Sequence, residues 1–196
     1  MTSLTPSRAL HTARTSGVAL ALFTLILGVA YPLCLAGFGA VALPHQAAGS
    51  PLYDPAGNPR GSALLAQPPR PGDDSWFYPR PSAGAGQASN ASPADPAYRQ
   101  QVEERRREVA ARESLAPEAV PPEALAASGS GLDPHVSREY AEAQVPRVSR
   151  HTGIPEARLR DLIAHNIARN HQRGGLVNVT TLNAAVAQEA QDIGTR

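Results

Sequence analysis

Residues 17–43, GVALALFTLILGVAYPLCLAGFGAVAL, run for 27 positions without a charged side chain. At a helical rise of about 1.5 Å per residue, about 20 residues cross a hydrocarbon core, so this run can span a bilayer with some tilt. Lipid offers no partners to backbone N–H and C=O groups, which leaves a helix as the form the segment can take. Pro32, after Tyr31, lacks a donor and predicts a kink rather than a stop. Gly28, Gly37 and Gly39 thin the helix where another helix could approach. A secretory leader is the competing reading, with Arg8, His11 and Arg14 as a basic flank and Ala40-Val41-Ala42 as a cleavage-like site. The apolar core of a leader is only about 7–15 residues, so an uncleaved anchor is expected. Arg8 and Arg14 precede it, and no basic residue follows until Arg60. That asymmetry predicts a cytoplasmic tail at 1–16, a span at 17–43, and everything beyond outside the cytoplasm.

All 18 basic residues are arginine, and 16 of them, without Arg8 and Arg14, face 17 acids in the outer part. A nucleic-acid binder needs a net basic footprint, and this balance argues against one. Cys34, the single cysteine, lies within the apolar run, so one chain holds no disulfide framework and no thiolate zinc site.

Residues 44–60 carry four prolines and two glycines and read as a tether with tight turns. Gly61–Gln67 (GSALLAQ) predicts a short strand. Trp76, Phe77 and Tyr78 stand together, and successive strand side chains alternate, so at least one belongs at a surface or against a partner. Residues 84–93 have loop composition. Asp95 caps a helix opened by Pro96, with a thin apolar face of Tyr98, Val102 and Val109. Glu103/Arg107 and Glu108/Arg112 have i,i+4 spacing. Interleaved glutamates make Arg105-Arg106-Arg107 a solvated face, and Pro117, Pro121 and Pro122 end the element. Ser128-Gly129-Ser130-Gly131-Leu132-Asp133 is a glycine loop running toward a helix start, a geometry able to cradle an anion. It lacks the Gly-Lys-Thr/Ser of a phosphate loop, and Asp133 would repel phosphate. Asp133 and Ser137 read instead as helix caps, with Pro134 near a first turn. Helices follow at 138–150 and 155–168, the second with Leu159, Leu162, Ile163 and Ile167 on one face. Gly174-Gly175 close it, 176–179 is a short strand, and Thr180 or Thr181 opens a last helix using Leu182, Val186 and Ile193. The expected fold is α+β: one N-terminal transmembrane helix, then a small mixed, mostly helical extracytoplasmic domain at 61–196.

His165 and His171 lack neighbouring ligands at metal spacing, and Ser128 and Ser130 occupy no nucleophile elbow. The stretch 145–167 imitates a helix-turn-helix, which would need a cytoplasmic location to read DNA. No residue set here identifies a reaction.

The ordered blocks nonetheless resemble one family. Tyr31-Pro32 in the span is followed by Ala47-Ala48-Gly49-Ser50, Arg60-Gly61-Ser62-Ala63-Leu64-Leu65-Ala66-Gln67 and Arg80-Pro81-Ser82-Ala83. Then come Ser128-Gly129-Ser130-Gly131-Leu132-Asp133-Pro134, Gln144-Val145-Pro146-Arg147-Val148 and Val177-Asn178-Val179. Together they resemble the C subunit of the Kdp-type potassium-transporting P-type ATPase over nearly the whole chain. One departure follows Ala83, where the family's longer Ser-Gly-Gly-Ser-Asn segment is reduced to Gln87-Ala88-Ser89-Asn90.

The resemblance implies a bacterial plasma-membrane complex for potassium uptake. In it a channel-like subunit takes up the ion, a P-type subunit hydrolyses ATP, and the C subunit stabilises their assembly. The family is also described as a catalytic chaperone raising ATP affinity, which makes Gln144 a nucleotide contact by analogy. ATP then belongs to the complex, and the chain itself needs no metal. Because an outer domain has no access to cytoplasmic ATP, the residues favour a structural Gln144 bonding a backbone amide near Pro146. Ser128, Gly129, Ser130, Gly131 and Asp133 are the candidate docking loop, and Trp76, Phe77 and Tyr78 a candidate aromatic contact. The lipid bilayer and the two other subunits are the expected partners, with no nucleic acid. The alternative is a membrane-tethered helix-turn-helix regulator using 145–167.

Overall fold

A computed structural model describes residues 6–54, 56–70, 72–81, 86–167 and 175–194. Ser82, Ala83, Gly84, Ala168, His171 and Gly174, used above, lie outside the described residues. The chain divides into two compact units, Met1–Gly49 and Ser50–Arg196.

The first unit is helical: α1 (Pro6–Leu25), a π-helical turn (Ile26–Ala30), α2 (Tyr31–Ala42) and a single turn α3 (Pro44–Ala47). Leu10–Ala42 forms a 33-residue helical stretch whose most apolar 18-residue window has a mean hydropathy of 2.4 and no buried residue, long and apolar enough to cross a membrane. Pro32 explains the π turn. Its ring crowds the carbonyl four residues back, that of Gly28, and it supplies no donor. The Tyr31 N–H reaches back five residues to the Ile26 carbonyl, widening the turn before the proline without ending the helix.

The second unit opens with an antiparallel hairpin, β1 (Pro51–Tyr53) and β2 (Pro59–Ser62), in the register Pro51↔Ser62 and Leu52↔Gly61. Asp54 organises its turn, accepting the Asn58 N–H at 2.8 Å and the Arg60 Nε at 3.2 Å. The strand expected over Gly61–Gln67 ends at Ser62. Residues 63–65 turn instead, because Asn178 and Thr180 side chains take the Ala63 and Leu65 carbonyls that a strand would have offered to a neighbour.

In α4 (Pro96–Glu113), Asp95 caps the Ala97 N–H at 2.9 Å and Pro96 fills the first position, where its missing donor costs nothing. The ion pairs that form along it are Arg106–Glu103 and Arg112–Glu113 rather than the i,i+4 pairs. Arg105 and Arg106 donate to the Leu125 and Pro117 carbonyls, so two members of the arginine run fasten the helix to the following loop. Two short 3-10 turns, Pro117–Ala119 and Pro122–Ala124, lead on to β3 (His135–Val136).

The remainder is α5 (Arg138–Thr152), α6 (Glu156–His165), β4 (Val177–Asn178) and α7 (Val179–Gly194). Ser137 caps α5, accepting the Tyr140 N–H at 3.1 Å. Asp133 does not cap that helix: it accepts the His135 N–H at 3.0 Å and shapes the turn into β3. Pro134 correspondingly lies ahead of a strand, not in a first helical turn. β3 pairs antiparallel with β4, and Ile167 adds a bridge to Val177. Asn178 caps α7 through the Thr181 N–H at 3.1 Å, which starts that helix one or two residues earlier than expected. The apolar stripe of α6 is buried at Leu159, Leu162 and Ile163, against α5 and α7, whose Val145, Val148, Leu182 and Val186 complete the core. Ile193, expected on the inner face, is exposed.

Candidate functional site

The aromatic triplet lies on a strap, residues 72–81, that turns at its near end and belongs to no sheet. Phe77 is fully buried, and Trp76 and Tyr78 on either side of it in sequence are half-buried. Asp73 fixes the near end. Its carboxylate accepts the Ser75 N–H and hydroxyl and the Trp76 indole N–H, the last at 2.7 Å. The bonds from Ser75 hold this carboxyl below the usual aspartate value.

A buried extended segment must still satisfy its backbone, and here side chains from helices do what a neighbouring strand would do. Asn183 on α7 accepts the Phe77 N–H at 2.8 Å and donates to the Phe77 carbonyl at 2.9 Å. Gln144 on α5 repeats the arrangement one residue on, accepting the Tyr78 N–H at 2.7 Å and donating to the Tyr78 carbonyl at 3.2 Å. Arg147, one turn further along α5, donates through Nη1 to the carbonyls of Asp74 and Trp76 at 2.6 and 2.9 Å. Its Nη2 donates to Gln144 Oε1 at 2.9 Å and its Nε to Glu113 at 2.9 Å.

Arg147 is 1% exposed, so its charge is tolerable only because the Glu113 carboxylate and three further acceptors surround it. The other Glu113 oxygen receives Arg112 Nε at 2.7 Å. Arg112 in turn lies 4.0 Å from the centroid of the Tyr78 ring and donates to the Tyr140 hydroxyl at 3.2 Å. Burial pushes that hydroxyl above the ordinary tyrosine value. Gln144 itself is wholly buried: Oε1 accepts two bonds, and Nε2 donates to the Tyr78 carbonyl and, at 3.3 Å, to that of Tyr140. The backbone amide it holds is that of Tyr78, 66 residues away, rather than one near Pro146.

The glycine loop meets the far end of the strap, where the Ser128 N–H donates to the Pro81 carbonyl at 2.8 Å. The buried Ser128 hydroxyl accepts the Gly131 and Asp133 N–H groups, and Ser130 accepts that of Leu132. Gly131 has φ +70°, and a Cβ there would sit 2.3 Å from the Gln87 carbonyl oxygen. Only glycine fits. Gly129, by contrast, has open space around it. Asp133 faces the Arg80 guanidinium at 3.9 Å, while Arg80 also donates to the Ala126 and Ala127 carbonyls.

The structure thus brings Gln144 together with the aromatic triplet and ties the glycine loop to the same strap. Arg147, Glu113 and Asn183 complete the cluster and went unnoticed in the sequence. The signal for Arg147 is its position on α5, three residues after Gln144 and seven after Tyr140, inside the buried stripe. Among the described residues no three histidine, cysteine or acidic groups are placed to hold a metal ion.

What these features define is a small, mostly helical domain whose polar interior holds its own backbone, in a chain that also carries a membrane-length helix. Residues 13–188 match the family described as K+-transporting ATPase, c chain (KdpC), and the chain belongs to that family. The potassium-transporting ATPase KdpC subunit of Pseudomonas savastanoi pv. phaseolicola is 44% identical over 172 residues, covering 85% of this chain and 88% of its own. That of Kineococcus radiotolerans is 42% identical over 199 residues, covering 96% and 99%. The Geobacter sulfurreducens subunit is 39% identical, covering 85% and 92%.

Proposed function

We propose that this chain is a non-catalytic subunit of an ATP-driven potassium-uptake complex, stabilising the assembly of a channel-like uptake subunit with a P-type ATP-hydrolysing subunit. The family match across residues 13–188 carries this reading. It also takes in 145–167. The regulator reading is therefore set aside.

In this reading residues 1–16 are cytoplasmic, 17–43 span the plasma membrane of a bacterium and the rest is the outer domain, whose first hairpin, Pro51–Tyr53 with Pro59–Ser62, takes up most of the 44–60 stretch expected to be a tether. Arg8 and Arg14 ahead of the apolar helix support that orientation. Among the described residues a Cβ at Gly28 would meet only the Thr24 side chain, at 3.9 Å, and one at Gly37 would meet nothing within 4 Å, which suits contact with helices of the partner subunits. The loop of Ser128, Gly129, Ser130, Gly131 and Asp133 offers a rigid docking surface to the uptake subunit, with the half-buried Trp76 and Tyr78 as a second contact. A chaperone effect on ATP affinity would pass through assembly. Gln144 has every polar atom engaged inside the domain and acts as a structural clamp, not a nucleotide contact.

The test is a cysteine at exposed Ser114 in a Cys34→Ser background, labelled on intact cells with a membrane-impermeant thiol reagent, with the chain then recovered and its co-purifying proteins identified. Labelling before lysis together with recovery of a P-type pump is expected. Labelling only after lysis would overturn the orientation, and recovery without any pump would overturn the assignment to a complex.

A further inference from the structure

The π turn leaves the membrane-length helix short of donors at one level. A helical carbonyl takes the N–H four residues on, or five residues on in a π turn. For Leu27 those positions are Tyr31 and Pro32. The Tyr31 N–H goes to Ile26, and Pro32 has no N–H to give. Leu27 is therefore an acceptor with no backbone donor left. Gly28 loses its α-helical donor to the same proline and has only the Leu33 N–H to share with Val29. Side chains of the segment do not close the gap. Among the described residues none donates to either carbonyl, and Thr24, one turn before Gly28, turns its methyl toward it rather than its hydroxyl.

Depth decides what can cover these groups. Ala30 is the middle residue of the uncharged run 17–43, so Leu27 lies within about 5 Å of the centre of the span. Hydrocarbon offers no donor there, and the headgroups are about 15 Å away. A carbonyl at that level is satisfied by protein or not at all. The backbone of a neighbouring membrane helix has spent its own N–H groups within itself. What such a helix can still bring is a serine or threonine hydroxyl, or an asparagine or glutamine amide. The approach is open, because Gly28 carries no side chain and Leu27 and Tyr31 on either side are 60% and 57% exposed.

We infer that the Leu27 carbonyl, beside Gly28, accepts a hydrogen bond from a hydroxyl or amide side chain on a membrane helix of a partner subunit. This rests on the reading of the chain as an anchored subunit of a complex, and adds to it the chemistry that the partner helix must bring.

The complex is purified from cells through the full chain, with a benzophenone amino acid in place of Tyr31, whose side chain leans back over the turn of Leu27. Photo-linkage to one membrane helix of a partner subunit, within a turn of a serine, threonine, asparagine or glutamine, is the expected result. Replacing that donor by alanine, valine or leucine should lower pump recovery several-fold with Pro32 in place. It should matter little with Pro32→Ala, which lets the helix close as α and gives Leu27 and Gly28 back their own donors. Linkage to lipid, to a second copy of this chain, or to a helix without such a residue would overturn the bond and leave the subunit reading intact. So would unchanged recovery when the donor is replaced, or an equal loss with and without Pro32. If Pro32→Ala is lost from membranes on alkaline washing, the replacement with Pro32 in place decides alone. A chain that brings down no pump would overturn the subunit reading and the bond together.

Discussion

Replacing Gln144 with leucine separates a clamp from a nucleotide contact. The side chains are similar in size, so the change removes bonds with little change in packing. It strands the Tyr78 N–H and carbonyl in a buried strap and takes one acceptor from Arg147 Nη2. A buried polar group left without a partner costs about 1–3 kcal/mol, so three such losses, partly relaxed, come to roughly 3–5 kcal/mol. A domain of this size is stable by about 5–15 kcal/mol, which predicts a melting point lower by roughly 10 °C or more. Full-length chain in detergent, followed by circular dichroism and by hydrogen exchange at residues 72–81, measures it. The strap should exchange fastest. Gln144→Glu, which keeps an acceptor for Tyr78 and Arg147, should fall between leucine and the native residue at neutral pH. If Gln144→Leu melts with the native chain but weakens nucleotide binding by the assembled pump, the clamp account is refuted.

Arg147→Met leaves Glu113 with a single partner, Arg112, and should cost about 3–5 kcal/mol in the same melts; adding Glu113→Leu should recover part of that loss, because a buried ion pair is worth less than its breakage. Gly131→Ala combines positive φ with a Cβ against the Gln87 carbonyl and should destabilise by more than about 2 kcal/mol, while Gly129→Ala should be near neutral. Asp133→Ala removes a turn bond worth about 0.5–1.5 kcal/mol; recovery of the assembled pump should fall by more than melting does, and the reverse would make the loop purely structural. Gly28→Leu with Gly37→Leu should leave melting unchanged and reduce pump recovery. Asp73 has a lowered folded-state pKa, so its contribution is complete above the ordinary aspartate value and is lost as pH falls through the lowered one. The fluorescence of Trp76, the one tryptophan, should change over that acid range and hold steady above it.

Features with a local cause were legible in the sequence. The uncharged run, the Asp95-Pro96 helix start and the α6 stripe each announce themselves within a few residues. Asp133 misled because aspartate before proline suits both a helix cap and a turn, and only the pairing of His135 with Asn178 decides between them. GSALLAQ misled for a related reason: the side chains that convert it to a turn lie 115 residues away. The clamp is the extreme case. An amide bonding a distant backbone leaves no periodicity in either segment, so Asn183 looked like any polar residue of a last helix.

That distance also orders events during synthesis. Phe77 leaves the ribosome 106 residues before Asn183, and Tyr78 leaves 66 before Gln144. Until α5 and then α7 exist, the strap has nothing to close upon, and a chain shortened before α7 lacks its last fastener. The presence of α7 is thereby written into the shape of the strap, so that a partner reading Trp76 and Tyr78 would be reading whether that helix had been made and docked.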